Sequence, residues 1–307
     1  MFEGCRLEPK VAWANSLNEK RRALLLIVLA GVLWGSSFPA IKIGLRFTDA
    51  YMLAFWRFFL ASAIMFVVLV FTGKFNLGLA KRRVWLLGIL NGFSYLLQYV
   101  GMTFTTASKS SLLVNLTAVW VALLSWVIFK ERFGNRKLLG IVVATVGVFL
   151  VTTSLNFSEL TRGMVLGDIL VLSSGVGWSF FIVYNKKFIA DAENSFQFMT
   201  WILFATVLPL IPFIALSSNP SLNLPIEAWG AIAYTAVFCW IVPYYVWLKG
   251  LKHVSPVIST IVLLTEVIVA TLISFFMLDE RFTIVSGAGA LLILLAIVLA
   301  SSNDRTA

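Results

Sequence analysis

Charge is scarce in this chain, and so are histidine and cysteine. Only 12% of its 307 residues are Asp, Glu, Lys or Arg, about half the share found in a soluble domain. With one histidine and two cysteines there is little from which to build a metal centre or a nucleophile–base pair, so no metal, no cofactor and no enzyme are predicted. Cys5 lies in a polar tail and Cys239 inside an apolar run, which excludes a disulfide framework. No GxxxxGK[ST] run occurs, so ATP drive would need another chain. The start lacks the basic, apolar and cleavage-site order of a signal peptide, and no cleaved leader is expected.

What fills the chain instead is hydrocarbon. Hydrophobic residues make up 60%, and the mean hydropathy is +0.94. Ten apolar runs stand out near 23–45, 51–72, 84–106, 108–129, 137–154, 164–186, 195–216, 228–250, 254–278 and 283–301. Each is about the ~20 residues needed to cross a bilayer as a helix. The connections are mostly two to eleven residues, too short for a soluble domain. The expected organisation is a tail over 1–22, read as unstructured, five spans over 23–154, five more over 164–301, and a tail over 302–307. Only Ala107 separates spans three and four. Pro209, Pro212 and Pro243 interrupt apolar runs, which spans tolerate when neighbours satisfy the freed backbone groups.

The net charge of +10 would suggest nucleic acid in a soluble protein. Here the basic residues follow the positive-inside pattern, and no nucleic-acid partner is predicted. With the N-terminus placed inside, eighteen of the 24 Lys and Arg fall on the inner side and four on the outer, leaving Lys42 and Arg57 within spans. That predicts a multi-pass protein of the cytoplasmic membrane with both termini cytoplasmic.

The chain also repeats itself. Lys130-Glu131-Arg132-Phe133 matches Asp279-Glu280-Arg281-Phe282 at an offset of 149, and Gly140 and Gly289 each follow nine residues after the Glu. Gly31, Trp34 and Lys42 match Gly175, Trp178 and Lys186 at an offset of 144. A five-span unit is odd, so the second copy enters from the opposite side. The predicted fold is therefore an all-α membrane protein of ten transmembrane helices in two inverted five-helix repeats. Secondary transporters are commonly built this way, with the substrate site near the midplane.

Glu266 is the thirteenth of 25 residues in the run Val254–Leu278, the one acid placed at mid-span. A carboxylate at that depth costs a few kcal/mol unless it faces protein or a wet cavity, or takes up a proton. It could bind a substrate amine, couple a proton, or stay protonated and bonded to a neighbour such as Tyr95 or Asn115. Helical spacing groups the other polar positions into faces. Span three carries Asn91, Ser94, Tyr95, Gln98 and Thr105, and span four carries Ser108, Ser111, Asn115, Ala122 and Ser125. Span one offers Trp34, Ser37 and Phe38; span six offers Ser174, Gly177, Trp178 and Phe181. Span eight presents Trp240, Pro243, Tyr244 and Trp247, and span nine aligns Ser259, Glu266 and Ala270. Trp34, Tyr95, Trp240 and Glu266 share one depth. The isolated serines read as helix-to-helix hydrogen bonds. Lys42 can snorkel; Arg57 reads as structural or snorkelling, with a substrate carboxylate as the alternative. Asp168 suits a helix N-terminus, and His253 a solvated loop. The GxxxG pairs Gly31/Gly35 and Gly88/Gly92 read as close helix packing.

Several of these residues resemble the drug/metabolite transporter superfamily, within it the ten-span group with two EamA repeats. Trp34-Gly35-Ser36-Ser37-Phe38 is similar to its opening motif and Arg57-Phe58 to its Arg-Phe pair. Glu131 with Gly140 and Gly147, and Glu280 with Gly289, resemble its repeat endings; Gly167-Asp168 and Trp178 resemble the start of its second repeat. Ala118 and Val267 stand where the family often has proline, and Ala296 replaces the second glycine of the second ending. The resemblance covers roughly residues 23–300. It implies export or exchange of small metabolites, amino acids prominently, along a path enclosed by spans 1–4 and 6–9, with spans five and ten peripheral. Those outer helices are then the surface open to a homodimer.

The expected function is a secondary transporter working by alternating access, its substrate held by Trp34, Ser37, Asn91, Tyr95, Gln98, Asn115, Trp178, Trp240, Tyr244 and Glu266. Amphiphilic or zwitterionic metabolites such as amino acids suit an aromatic wall with one acid. Nucleosides, polyamines or drug-like cations are the alternative solutes, and a membrane scaffold or sensor the alternative class. Phosphorylated sugars fit poorly, since only Arg57 and Lys42 could meet a phosphate.

Overall fold

A computed structural model describes residues 9–73, 82–104, 107–131, 133–157, 164–190, 192, 194–217, 224–278 and 283–301. The second repeat ending, 279–282, and Thr105 lie outside these residues, as do the side chains of Phe38, Lys42, Ser108 and Ser111. Every regular element among the described residues is helical. Among the described residues ten helices are long and apolar enough to cross a membrane: Asn18–Ile41, Ala50–Phe71, Arg82–Phe104, Leu112–Phe129, Asn135–Thr153, Val165–Ile189, Ser195–Leu216, Ile226–Leu251, Pro256–Ile273 and Ile284–Ser301. They are called spans one to ten. The first helix starts at Pro9 and runs unbroken to Gly35, so the stretch expected to be unstructured through residue 22 is helical from Pro9.

Short connections force each span to run opposite to the one before. Arg21, Arg22, Arg82, Lys130, Arg136, Lys137, Lys186, Lys187, Lys249 and Lys252 therefore share one end of the bundle, called here the basic end. There Lys137 pairs with Glu131 at 3.1 Å and half-exposed His253 approaches Glu19 at 3.8 Å.

Three spans are broken by a single residue, and the same chemistry serves each break. Span one stops at Gly35 and resumes at Ser37; span four stops at Asn115 and resumes at Thr117; span nine stops at Leu263 and resumes at Thr265. The intervening Ser36, Leu116 and Leu264 have ψ of −13°, −10° and −8°. At each break a hydroxyl donates to the carbonyl three residues earlier: Ser36 to Leu33 at 2.7 Å, Thr117 to Val114 at 2.6 Å, and Thr265 to Val262 at 2.6 Å. Such back-bonding competes with the helix ladder and bends it. Spans four and nine thus break without the prolines that Ala118 and Val267 replace. A threonine stands at the equivalent place of each repeat, Thr117 and Thr265.

Spans seven and eight bend through proline. Span seven passes into a 3-10 segment, Leu208–Leu216, containing Pro209 and Pro212. In span eight a π segment, Val237–Ile241, precedes Pro243. The Val242 N–H reaches back five residues to the Val237 carbonyl. The α-helical partner of the Cys239 carbonyl would be the N–H of residue 243, which proline lacks.

Spans five and ten pack as an antiparallel pair on glycine. A Cβ at Gly147 would stand 2.9 Å from the Gly289 carbonyl, and one at Gly289 2.7 Å from that of Gly147. Further along, Gly140 faces the Ala296 carbonyl at 3.4 Å, an ordinary contact. The ending glycines of the two repeats thus meet face to face, as an inverted pair requires. Gly31 and Gly35 bring span one onto the break of span nine: a Cβ at Gly35 would lie 2.6 Å from the Glu266 carbonyl and 2.8 Å from Val269 Cβ. Gly88 and Gly92 likewise press span three against Ile202, Ala205, Thr206 and Pro209 of span seven.

Candidate functional site

The breaks of spans four and nine and the π segment of span eight face one another at mid-depth, and a cavity lies between them. Its enclosed space is about 130 Å³, open on one side. Its wall is built by seven spans: one, two, three, four, six, eight and nine. Span seven, expected to help enclose the path, stands behind the wall with Phe198, Met199, Ile202 and Leu203 buried in the core. Spans five and ten contribute nothing to the wall.

Nine of the ten residues singled out by sequence line this one cavity: Trp34, Ser37, Asn91, Tyr95, Gln98, Asn115, Trp178, Trp240 and Glu266. Tyr244 does not. It is fully buried at the basic end, where its hydroxyl donates to Asn185 Oδ1 at 2.9 Å. Next to it the indole N–H of Trp247 donates to Ser259 Oγ at 2.9 Å. Lys186 caps the end of span eight, donating from Nζ to the Leu251 and Lys252 carbonyls at 2.7 and 2.8 Å. The rings of Trp240, Tyr244 and Trp247 thus stack into an aromatic floor on the side of the cavity toward the basic end. Ser94 and Ser174, expected to bond a neighbouring helix, instead each donate to a carbonyl of their own helix, Leu90 and Val171.

Tyr95 stands at the centre of the aromatic wall. Its ring centroid is 4.6 Å from that of Phe58, 4.9 Å from Trp178 and 5.1 Å from Trp240, all at steep interplanar angles. Trp34 meets Trp247 at 5.9 Å. Tilted and edge-to-face contacts of this kind are favoured over face-to-face stacking. Polar atoms in the wall are left without a protein partner: the indole N–H groups of Trp34 and Trp240, and Oδ1 of Asn91, whose Nδ2 is held by Thr206. Glu266 makes no hydrogen bond or ion pair among the described residues. The bond to Tyr95 or Asn115 that would make it purely structural is not formed.

From its sequence position Arg57 reads as structural or snorkelling, with a substrate carboxylate as the alternative. Arg57 does not snorkel: it is 2% exposed and lines the cavity. The available signal was a cation two turns inside an apolar run. Phe181, Ile182, Thr117, Thr260 and Trp247 also line the cavity without having been singled out as binding residues.

A model of the EamA-like transporter family matches residues 21–153 and 165–302, most of each repeat. The chain belongs to the EamA-like transporter family. It is 30% identical over 290 residues to the uncharacterized transporter YyaM of Bacillus subtilis, covering 92% of this chain and 94% of that one. An uncharacterized transporter of Archaeoglobus fulgidus is 29% identical over 291 residues, 92% of this chain and 98% of its own. A probable amino-acid metabolite efflux pump of Escherichia coli is 27% identical over 296 residues, 89% and 93% of the two chains. A solved crystal structure shares the fold with a TM-score of 0.75 over 91% of this chain and 96% of its own, at 16% identity. This EamA-like protein is thus a multi-pass membrane transporter of two inverted repeats, and a small-molecule substrate follows from its family.

Proposed function

We propose that this EamA-like transporter exports or exchanges small amphiphilic metabolites, amino acids foremost, across the cytoplasmic membrane by alternating access. One observation carries the reading: a mid-depth cavity between the two repeats combines an aromatic wall with a carboxyl group, Glu266, that makes no hydrogen bond or ion pair among the described residues. An aromatic wall takes an apolar side chain, and an acid at that depth takes an amine or carries a proton. The name of the Escherichia coli relative, a probable amino-acid metabolite efflux pump, supports the same class. The concentration of Lys and Arg at one end supports a cytoplasmic basic end with both termini on that side. On that orientation the hydrogen-bonded Tyr244 and Trp247 stand on the cytoplasmic side of the cavity and serve as its gate. The family units then span about 23–154 and 164–301, flanked by short tails. A homodimer through spans five and ten fits their outward apolar faces, with Leu138, Val142, Leu291 and Val298 exposed.

Counterflow into proteoliposomes tests the reading. Labelled amino acids should accumulate when unlabelled amino acid is loaded inside, and Glu266→Gln should abolish the uptake or its dependence on pH. Counterflow confined to nucleosides, polyamines or drug-like cations would leave a transporter with another solute. Wild-type rate and pH dependence in Glu266→Gln would remove the acid from the mechanism.

A further inference from the structure

The cavity carries a second ionisable group, on a different wall from the acid. Arg57 comes from span two and Glu266 from span nine, both line the cavity, and they form no ion pair with each other. A guanidinium has five N–H donors. Two are used: Nη1 donates to the Tyr99 hydroxyl at 2.9 Å, and Nη2 to the Cys239 carbonyl at 3.0 Å. Nε is buried without a partner. The rings of Phe58, Tyr95 and Trp240 lie 5.2, 5.5 and 6.0 Å from the guanidinium carbon, close enough for cation–π attraction to hold the group in place. The Trp240 indole N–H, on the same wall, also lacks an acceptor.

We infer that Arg57 is an anion subsite that takes the carboxylate of the transported molecule. A buried cation without a counter-ion is costly, and surplus donors gathered at one wall call for an acceptor from outside the protein. The planar fork of arginine matches a carboxylate in geometry. One fixed cation balances one negative charge, which favours a carboxylate over a doubly charged phosphate. With an acid on another wall, the cavity presents opposite charges at two places, the pattern of a zwitterionic α-amino acid. The inference rests on the reading of this cavity as the transport site.

Two matched probe series separate it from that reading: phenylalanine, phenylalaninamide, 3-phenylpropionate and 2-phenylethylamine, and the corresponding leucine set. Binding to the full-length protein in detergent is measured by calorimetry for wild type, Arg57→Gln, Arg57→Lys and Glu266→Gln. Wild type should prefer probes with a carboxylate over their amides or amines by roughly tenfold to a hundredfold, the worth of a charge-assisted contact. Arg57→Gln should erase that preference, weakening the acids at least tenfold more than the amides, and Arg57→Lys should keep part of it. Should the Gln variant not fold, the partial loss in the Lys variant carries the test. Equal binding of acid and amide by wild type, or loss of both alike in the variants, overturns the subsite. So does the failure of every carboxylate-bearing probe to bind. Arg57-dependent binding of 3-phenylpropionate without phenylalanine would keep the subsite and reject the amino-acid reading. Glu266-dependent binding of phenylalanine with no carboxylate preference would do the reverse.

Discussion

Replacing Arg57 with methionine strips the Cys239 carbonyl of a donor 3.0 Å away. A buried acceptor left without its donor costs about 1–3 kcal/mol. The methionine stem retains much of the packing against Phe58, Tyr95 and Trp240, and loss of the buried charge offsets part of the cost. The single variant therefore mixes terms of both signs. Pro243→Ala isolates the one of interest, because it returns an N–H four residues beyond Cys239, where an α-helix would supply one. In that background the carbonyl no longer depends on Arg57. The double variant should be less destabilised than the sum of the two singles by about 1–2 kcal/mol. The four proteins are compared by equilibrium unfolding in mixed detergent micelles, at one pH and one lipid content. Additivity within about 0.5 kcal/mol would mean that the carbonyl finds another partner. The link between the proline bend and the buried arginine would then be wrong.

Three further outcomes follow from the geometry. Gly35→Leu drives a side chain into the Glu266 carbonyl and Val269 and should destabilise by about 1–3 kcal/mol. Gly230→Leu, where a Cβ meets nothing within 4 Å, should leave the melting temperature nearly unchanged; equal effects would refute the close crossing of spans one and nine. Tyr244→Phe removes the donor to Asn185 and should raise labelling of a cysteine placed at Thr260 by reagents added from the basic end; unchanged labelling would show that the floor does not depend on this bond. Thr117→Val together with Thr265→Val removes the hydroxyls at two helix breaks. Transport should slow by at least severalfold with little change in substrate affinity, while a wild-type rate would show that the breaks need no hydroxyl.

Local order along the chain determined the elements. Ten apolar runs of bilayer length, the matched stretches at 130–133 and 279–282, and the mid-span position of Glu266 required no knowledge of packing, because each depends on near neighbours or on depth in the membrane. Depth also explains why Trp34, Tyr95, Trp240 and Glu266 come together: residues at one level of a bundle have few places to go. Direction around the helix axis was harder to read. Tyr244 shares a stripe with Trp240 and stacks on it, yet its hydroxyl is taken by Asn185 of span six and it stays out of the wall, a choice made by a helix distant in sequence. The helix breaks at Leu116 and Leu264 were hidden for a similar reason. A threonine bends a helix only when its hydroxyl takes the carbonyl behind it, a choice settled by neighbours such as Gly175, whose carbonyl Thr117 also reaches at 3.1 Å. Arg57 shows the division most plainly. The sequence alone placed a cation two turns inside an apolar run, where snorkelling, helix bracing and ligand binding all suit it. Only the tertiary structure set it under three aromatic rings against the carbonyl that Pro243 leaves without its usual donor, because that surrounding is assembled from spans two, three and eight.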